Sequence, residues 1–196
     1  MPRIGMETTR RKALIDATVE TIHVRGFNDA TMAEIARRAG VSGGLAHHYF
    51  GSKAGLLNAT MRALLTDLSR ETQARMATAG TARERISALI GASFAPNQFQ
   101  PALISAWLAF YLQARTDSDT RRLLRIYHRR LVSNLAHGFA AYLPAEHARR
   151  AAEGTAALID GLWLQRVFAD GAAQPKSAMR QVEDYVERQL GESTHV

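Results

Sequence analysis

Two adjacent histidines, a tyrosine and a lysine (His47, His48, Tyr49 and Lys53) lie in one run, Thr31 to Lys53, that reads TMAEIARRAGVSGGLAHHYFGSK. Neighbouring histidines do not share a helix face as metal ligands at i, i+4 do. What they offer is a row of hydrogen-bond donors along a short helix, the chemistry that contacts base edges and phosphates. Lys53 falls in the first turn of the helix that follows, where free backbone N–H groups already favour a phosphate. Gly43 and Gly44 each cost a helix roughly 1 kcal/mol against alanine, which marks a place where backbone comes close to another body. Residues 40–44, Gly-Val-Ser-Gly-Gly, also fit the G-x-S-x-G nucleophile elbow. That elbow requires a preceding β-strand, and Ala36 to Ala39 read as helix.

Local rules position these residues. Thr31 with Glu34 forms a capping box. Ile35, Ala36 and Ala39 then fall on one face. Gly40 stands where the helix stops and the chain needs positive φ. Ser42 is a good N-cap for a short helix over Gly43 to Phe50, and Gly51-Ser52 ends it and caps the next. Helix, glycine turn and short helix make a helix-turn-helix, whose second helix enters the DNA major groove.

Composition agrees. The 196 residues carry a net charge of +7 with a pI near 10.3. Met1 to Arg62 holds 9 Lys/Arg against 5 Asp/Glu, and the remainder 16 against 13. The basic excess is thus concentrated in the first third, as in a head that displaces counterions from DNA. Apolar residues make up 46%, enough for a real core, and there is no cysteine. Disulfides, thiol nucleophiles and Cys-based metal sites are excluded. The leading MPRIGMETTRRK has no apolar run behind it, unlike a secretory signal. The longest apolar run, about Ala102 to Leu112, is too short to span a bilayer. A cytoplasmic protein with no membrane partner is expected.

The rest of the chain reads as helices. Met1 to Thr9 is expected to be a partly disordered arm. Ile15, Thr18, Val19 and Ile22 give an amphipathic helix over Arg10 to Arg25, ended by Gly26, with Phe27 under the helix-turn-helix. Ser52 to Ala79 reads as one long helix, a lever out of the head. Thr81 and Glu84 form a second capping box that opens a helix to Ala95. Pro96 and Pro101 bracket a polar loop. Helices follow over Ala102 to Arg115, Thr120 to Leu143, Ala145 to Ala169 and Lys176 to Leu190, with a loose tail after them. The fold class is all-α, about nine helices. It divides into a DNA-binding head, residues 1–50, and a ligand-binding and dimerisation domain, residues 51–196.

Ile35-Ala36, Ala39-Gly40-Val41-Ser42, Gly44, Tyr49-Phe50, Ser52-Lys53 and Leu56 together resemble the DNA-reading segment of the TetR-type one-component repressors. The resemblance implies phosphate contacts from Thr31, Ser42, Tyr49 and Lys53, and a base-reading helix carrying Gly43, Gly44, Leu45, His47 and His48. His47 stands where a tyrosine is common. Further matches are scattered from end to end, among them His48-Tyr49-Phe50, Gly55-Leu56-Leu57, Ala59-Thr60-Met61-Arg62, Trp107-Leu108-Ala109-Phe110, Ser133-Asn134-Leu135 and Leu158 to Leu164. They resemble the choline-responsive members of that family, which govern glycine betaine biosynthesis under osmotic stress. This implies repression relieved by choline or betaine aldehyde. Tyr111, where the group tends to have Trp, and Leu112 to Asp119 depart from the pattern.

The residues allow such a ligand. Trp107 and Tyr111 are i, i+4 on one helix, with Phe110 beside them. Asp160 and Trp163 are i, i+3 on another, and Phe94, Phe99 and Tyr127 are further aromatics. A quaternary ammonium is attracted to aromatic faces by about 0.5–2 kcal/mol per ring, and Trp107, Phe110, Tyr111, Tyr127, Asp160 and Trp163 are the candidates. The plainer reading makes the aromatics core and Asp160 a packing residue. Ala151, Ala152, Gly154, Ala156, Ala157 and Gly161 would let helices cross closely in a homodimer, whose two heads read palindromic double-stranded DNA. No cofactor, metal or catalytic residue is expected, since no carboxylate pair, zinc spacing or phosphate loop occurs. The alternatives are the same scaffold sensing an unrelated hydrophobic ligand, an enzyme using a helical pocket, and a DNA-packing protein without ligand.

Overall fold

The structure is a computed structural model, and it describes residues 3–165 and 175–191. Among these are nine α-helices, one 3-10 turn and no strand. The helices are α1 (Arg3–Arg25), α2 (Met32–Arg38), α3 (Gly43–Phe50), α4 (Lys53–Met76), α5 (Ala82–Ser93), α6 (Pro101–Gln113), α7 (Ser118–Phe139), α8 (Ala145–Gln165) and α9 (Pro175–Gly191). None is long and apolar enough to cross a membrane. The all-α reading therefore holds.

Two compact units divide the chain, residues 1–66 with 100–124, and residues 67–99 with 125–196. In the first, α1 packs against both α2 and α6. Its core joins Leu14, Ala17, Met32, Ile35, Ala36, Ala46 and Leu56, with Val41, Tyr49 and Phe50 against them. In the second, Ile86, Ile90, Leu135, Phe139, Ile159, Val182 and Val186 centre a core shared by α5, α7, α8 and α9. Helices α4 and α7 contribute residues to both units.

Several boundaries differ from the sequence reading. Helix α1 begins at Arg3, so the expected arm is largely helix. Met6 to Thr9 are exposed, and a turn that buries nothing leaves no periodic signal. The expected loop after Pro96 is a 3-10 turn over Pro96–Phe99, with Gln98 buried and Phe99 against the core. Helix α7 starts two residues early because Asp117 caps it, its carboxylate accepting from the Thr120 backbone N–H at 2.7 Å. It stops at Phe139 rather than Leu143. Residues 166–174 of the expected eighth helix and turn, and 192–196 of the tail, lie outside the described residues.

Four of the six small residues of α8 pack within the chain. Ala151, Ala152 and Ala156 are wholly buried in the core of their own unit. At Gly154 any side chain would collide with the Tyr185 hydroxyl of α9. Close crossing by small residues is therefore used inside the chain, between α8 and α9. Ala157, Gly161 and Leu164 remain exposed along α8.

Candidate DNA interface and effector residues

The turn between α2 and α3 is built by caps. Thr31 has extended backbone, and its hydroxyl oxygen accepts from the Glu34 N–H at 3.2 Å. The Glu34 carboxylate is engaged by Arg25 Nε at 3.4 Å. At the other end Gly40 has φ +67°. Its N–H reaches the Arg37 carbonyl at 3.2 Å, and the Val41 N–H reaches the Ala36 carbonyl at 3.0 Å. This pair of bonds is a Schellman motif, with the apolar residue after the glycine packed back on the helix. Ser42 then caps α3, its oxygen accepting from the Leu45 N–H at 3.2 Å. The hydroxyl hydrogens of Thr31 and Ser42 stay available to donate, since these caps use only their oxygens.

Helix α3 has two faces. Ala46 is fully buried, and Tyr49 and Phe50 lean on the same core. Gly44, His47 and His48, at i, i+3 and i+4, are exposed; Gly43 and Leu45 are half-buried. A Cβ at Gly43 or Gly44 would meet nothing within 4 Å. The fold therefore gives no reason for either glycine. Gly55 provides the contrast, because a Cβ there would collide with the Phe50 carbonyl oxygen, so α4 needs that glycine to start where it does.

Two cations brace this region, Arg11 against α3 and Lys53 against the loop between α1 and α2. Arg11 on α1 donates through Nη1 to the Tyr49 carbonyl at 3.2 Å, with its guanidinium 4.7 Å from the Phe50 ring centre. It thereby satisfies a carbonyl in the last turn of α3, where the helix leaves four without partners. Lys53 donates to the carbonyls of Phe27 and, at 3.0 Å, Asn28, and its ammonium lies 4.4 Å from the Phe27 ring centre. Burial pushes that ammonium below the usual lysine range, and Asp29 opposes the shift. The Lys53 side chain is thus a clamp on the loop between α1 and α2. Sequence reasoning missed Arg11 as a positioning residue, since no local pattern reveals a bond between residues 38 apart.

The effector candidates are distributed. Trp107, Phe110 and Tyr111 belong to the first unit, and Tyr127, Asp160 and Trp163 to the second. Trp107 lies between its neighbours on α6, edge-on to Phe110 at 5.9 Å and tilted to Tyr111 at 6.4 Å. Phe110 has no exposed surface, whereas Tyr111 is 41% exposed. Helix α6 is tied to the head by a 3.0 Å hydrogen bond between Ser105 Oγ and His23 Nδ1 of α1. In the second unit, Phe94 and Phe99 stack at 5.8 Å, and Tyr127 packs against the same core. Asp160 approaches His128 Nδ1 at 3.8 Å. Burial raises its pKa above the usual carboxylate range, with His128 partly opposing. A groove of about 430 Å³ in the second unit is lined by Thr81, Arg85, His137 and small residues, none of them effector candidates. The Arg85 guanidinium makes it unsuited to a quaternary ammonium.

Known proteins resemble the chain throughout. A family model described as bacterial regulatory proteins, tetR family, matches residues 14–60. A second, described as BetI-type transcriptional repressor, C-terminal, matches residues 82–191. The HTH-type transcriptional regulator BetI of Rhizobium meliloti is 50% identical over 190 residues, 97% of this chain and 94% of that protein. Among solved structures, a TetR transcription regulator from Haloarcula marismortui superposes with a TM-score of 0.83 at 20% identity, covering 93% of this chain and 99% of its own. A regulator-type protein from Saccharomonospora viridis, solved in complex with choline, has a TM-score of 0.76 at 21% identity, covering 90% and 95%. The chain belongs to the TetR family of DNA-binding transcriptional regulators, in its BetI-type branch.

Proposed function

We propose that this regulator represses glycine betaine synthesis from choline by binding a palindromic operator as a homodimer, and that choline or betaine aldehyde releases it. The observation that carries the DNA reading is the pair Gly43 and Gly44, which cost α3 stability and have open space where side chains would stand. An outer body that must approach backbone closely accounts for them. In this reading residues 1–50 are the head, Gly43, Gly44, Leu45, His47 and His48 face the bases, and Thr31, Ser42 and Tyr49 meet phosphates. Position 53 meets a phosphate through the backbone N–H groups of the first turn of α4. Phosphate contacts set the register and base contacts set the sequence.

The effector reading is supported by the BetI-type relatives and by aromatic faces on α6. A route for the signal lies within the first unit. Helix α6 carries Trp107 and Tyr111 and packs on α1; α1 holds the end of α3 through Arg11. A ligand that favours a second packing of α6 shifts α1, and with it the tilt of α3. Coupling of roughly 1–3 kcal/mol is usual for such linkage and reduces DNA affinity 5- to 150-fold. Footprinting on DNA upstream of the chain's own gene tests the reading. A protected palindrome, with operator bound far tighter than random DNA, is expected; equal binding to both would overturn it.

A further inference from the structure

His47 is joined to the end of α3 twice. The Gly51 N–H donates to the His47 carbonyl at 2.8 Å, and His47 Nδ1 sits 3.2 Å from the Gly51 carbonyl oxygen. Gly51 has φ +74°, which turns the chain at that point. A carbonyl oxygen only accepts, so in this bond Nδ1 carries the hydrogen. A neutral imidazole has one N–H, and the hydrogen bond made by one nitrogen fixes the state of the other. The Nε2 atom is then bare and offers a lone pair. His47 is exposed, in the same stripe as Gly44 and His48, so nothing on the core side of α3 uses this ring.

We propose that His47 reads its base as a hydrogen-bond acceptor, selecting an exocyclic amino group on the major-groove edge, N4 of cytosine or N6 of adenine. Guanine and thymine present oxygens at the corresponding places, and a bare Nε2 has no hydrogen to give them. The tyrosine common at this position would bring a hydroxyl that both donates and accepts, so the histidine narrows what the position tolerates. The inference rests on the reading of α3 as the base-reading helix.

The test is selection from a randomised duplex library at pH 8, with the wild type and with His47→Phe, which keeps a planar ring without nitrogens. The wild type is expected to favour cytosine or adenine over guanine or thymine at one position of each half-site, roughly 2- to 10-fold, the range of a single net hydrogen bond. His47→Phe loses the preference there and keeps the rest of the site. As a second measurement, the selected base is replaced by an analogue lacking only the amino group. The wild type should lose the same factor, and His47→Phe should be indifferent. A wild-type preference for guanine or thymine there, or equal losses from the analogue in both proteins, overturns the acceptor role while the base-reading helix stands. A wild type that selects no site at all overturns both.

Discussion

The Arg11 guanidinium donates to the backbone carbonyl of Tyr49 at 3.2 Å, joining the first helix of the head to the last turn of α3. An arginine beside the proposed DNA-reading helix suggests a phosphate contact, but this guanidinium, though 41% exposed, is committed to the Tyr49 carbonyl and the Phe50 ring. Arg11→Gln is expected to weaken operator binding about tenfold, since hydrogen bonds to charged groups contribute about 1.5–3 kcal/mol. The slope of log K against log salt should stay unchanged, whereas loss of a phosphate contact would reduce it by about 0.9. A salt titration of both proteins separates the two roles, and Arg11→Lys should restore part of the affinity.

Gly44→Ala separates folding from function. Alanine meets open space in the free protein, so the variant should be more stable, by up to about 1 kcal/mol, with a Tm rise of about 2–4 °C. On the proposed reading operator affinity should fall at least roughly tenfold, because the added methyl group would stand between α3 and the DNA. Thermal unfolding and anisotropy on the same preparation check both halves.

Lys53→Met should act on the head rather than on electrostatic attraction. It leaves the Phe27 and Asn28 carbonyls without their shared donor; Asn28 is exposed and Phe27 half-buried, so the cost is that of a net hydrogen bond, about 1 kcal/mol. Tm should drop and the salt slope should hold. A flattened slope with unchanged Tm would make the ammonium a phosphate contact.

The head was legible in the sequence because caps are local. Thr31, Gly40 and Ser42 each act within a few residues of themselves, and the bounds of α3 follow from them. What was not legible depends on distant partners. The ammonium of Lys53 finds carbonyls 25 and 26 residues away, and Asp160 finds a histidine on another helix. Small residues on α8 signal close crossing but not its partner, and Tyr185 of α9 fills that place at Gly154. The aromatics of α6 and of the second unit's core look alike in sequence, although Phe110 is sealed and Tyr111 is open.

Asp160 gives a pH signature. Burial raises its folded pKa above the unfolded value near 3.9. The folded state then binds its proton more readily than the unfolded one, so the ionised carboxylate opposes folding at neutral pH, and the opposition fades as pH falls through the folded pKa. Asp160→Asn should therefore raise Tm at pH 7, with the gain shrinking as the solution is acidified. If Asp160 pairs with a cationic effector, the same variant should bind choline more weakly. Unchanged choline affinity would assign Asp160 to packing.

The most direct test of effector-controlled repression is fluorescence anisotropy of labelled DNA from upstream of the chain's own gene. The complex is formed at fixed salt and titrated with choline, in parallel with Trp107→Ala. Choline is expected to release the wild-type complex, with a 5- to 150-fold loss of affinity, and to have a weaker effect on the variant. A tight, operator-specific complex that choline leaves intact would contradict the account and turn the scaffold over to another ligand.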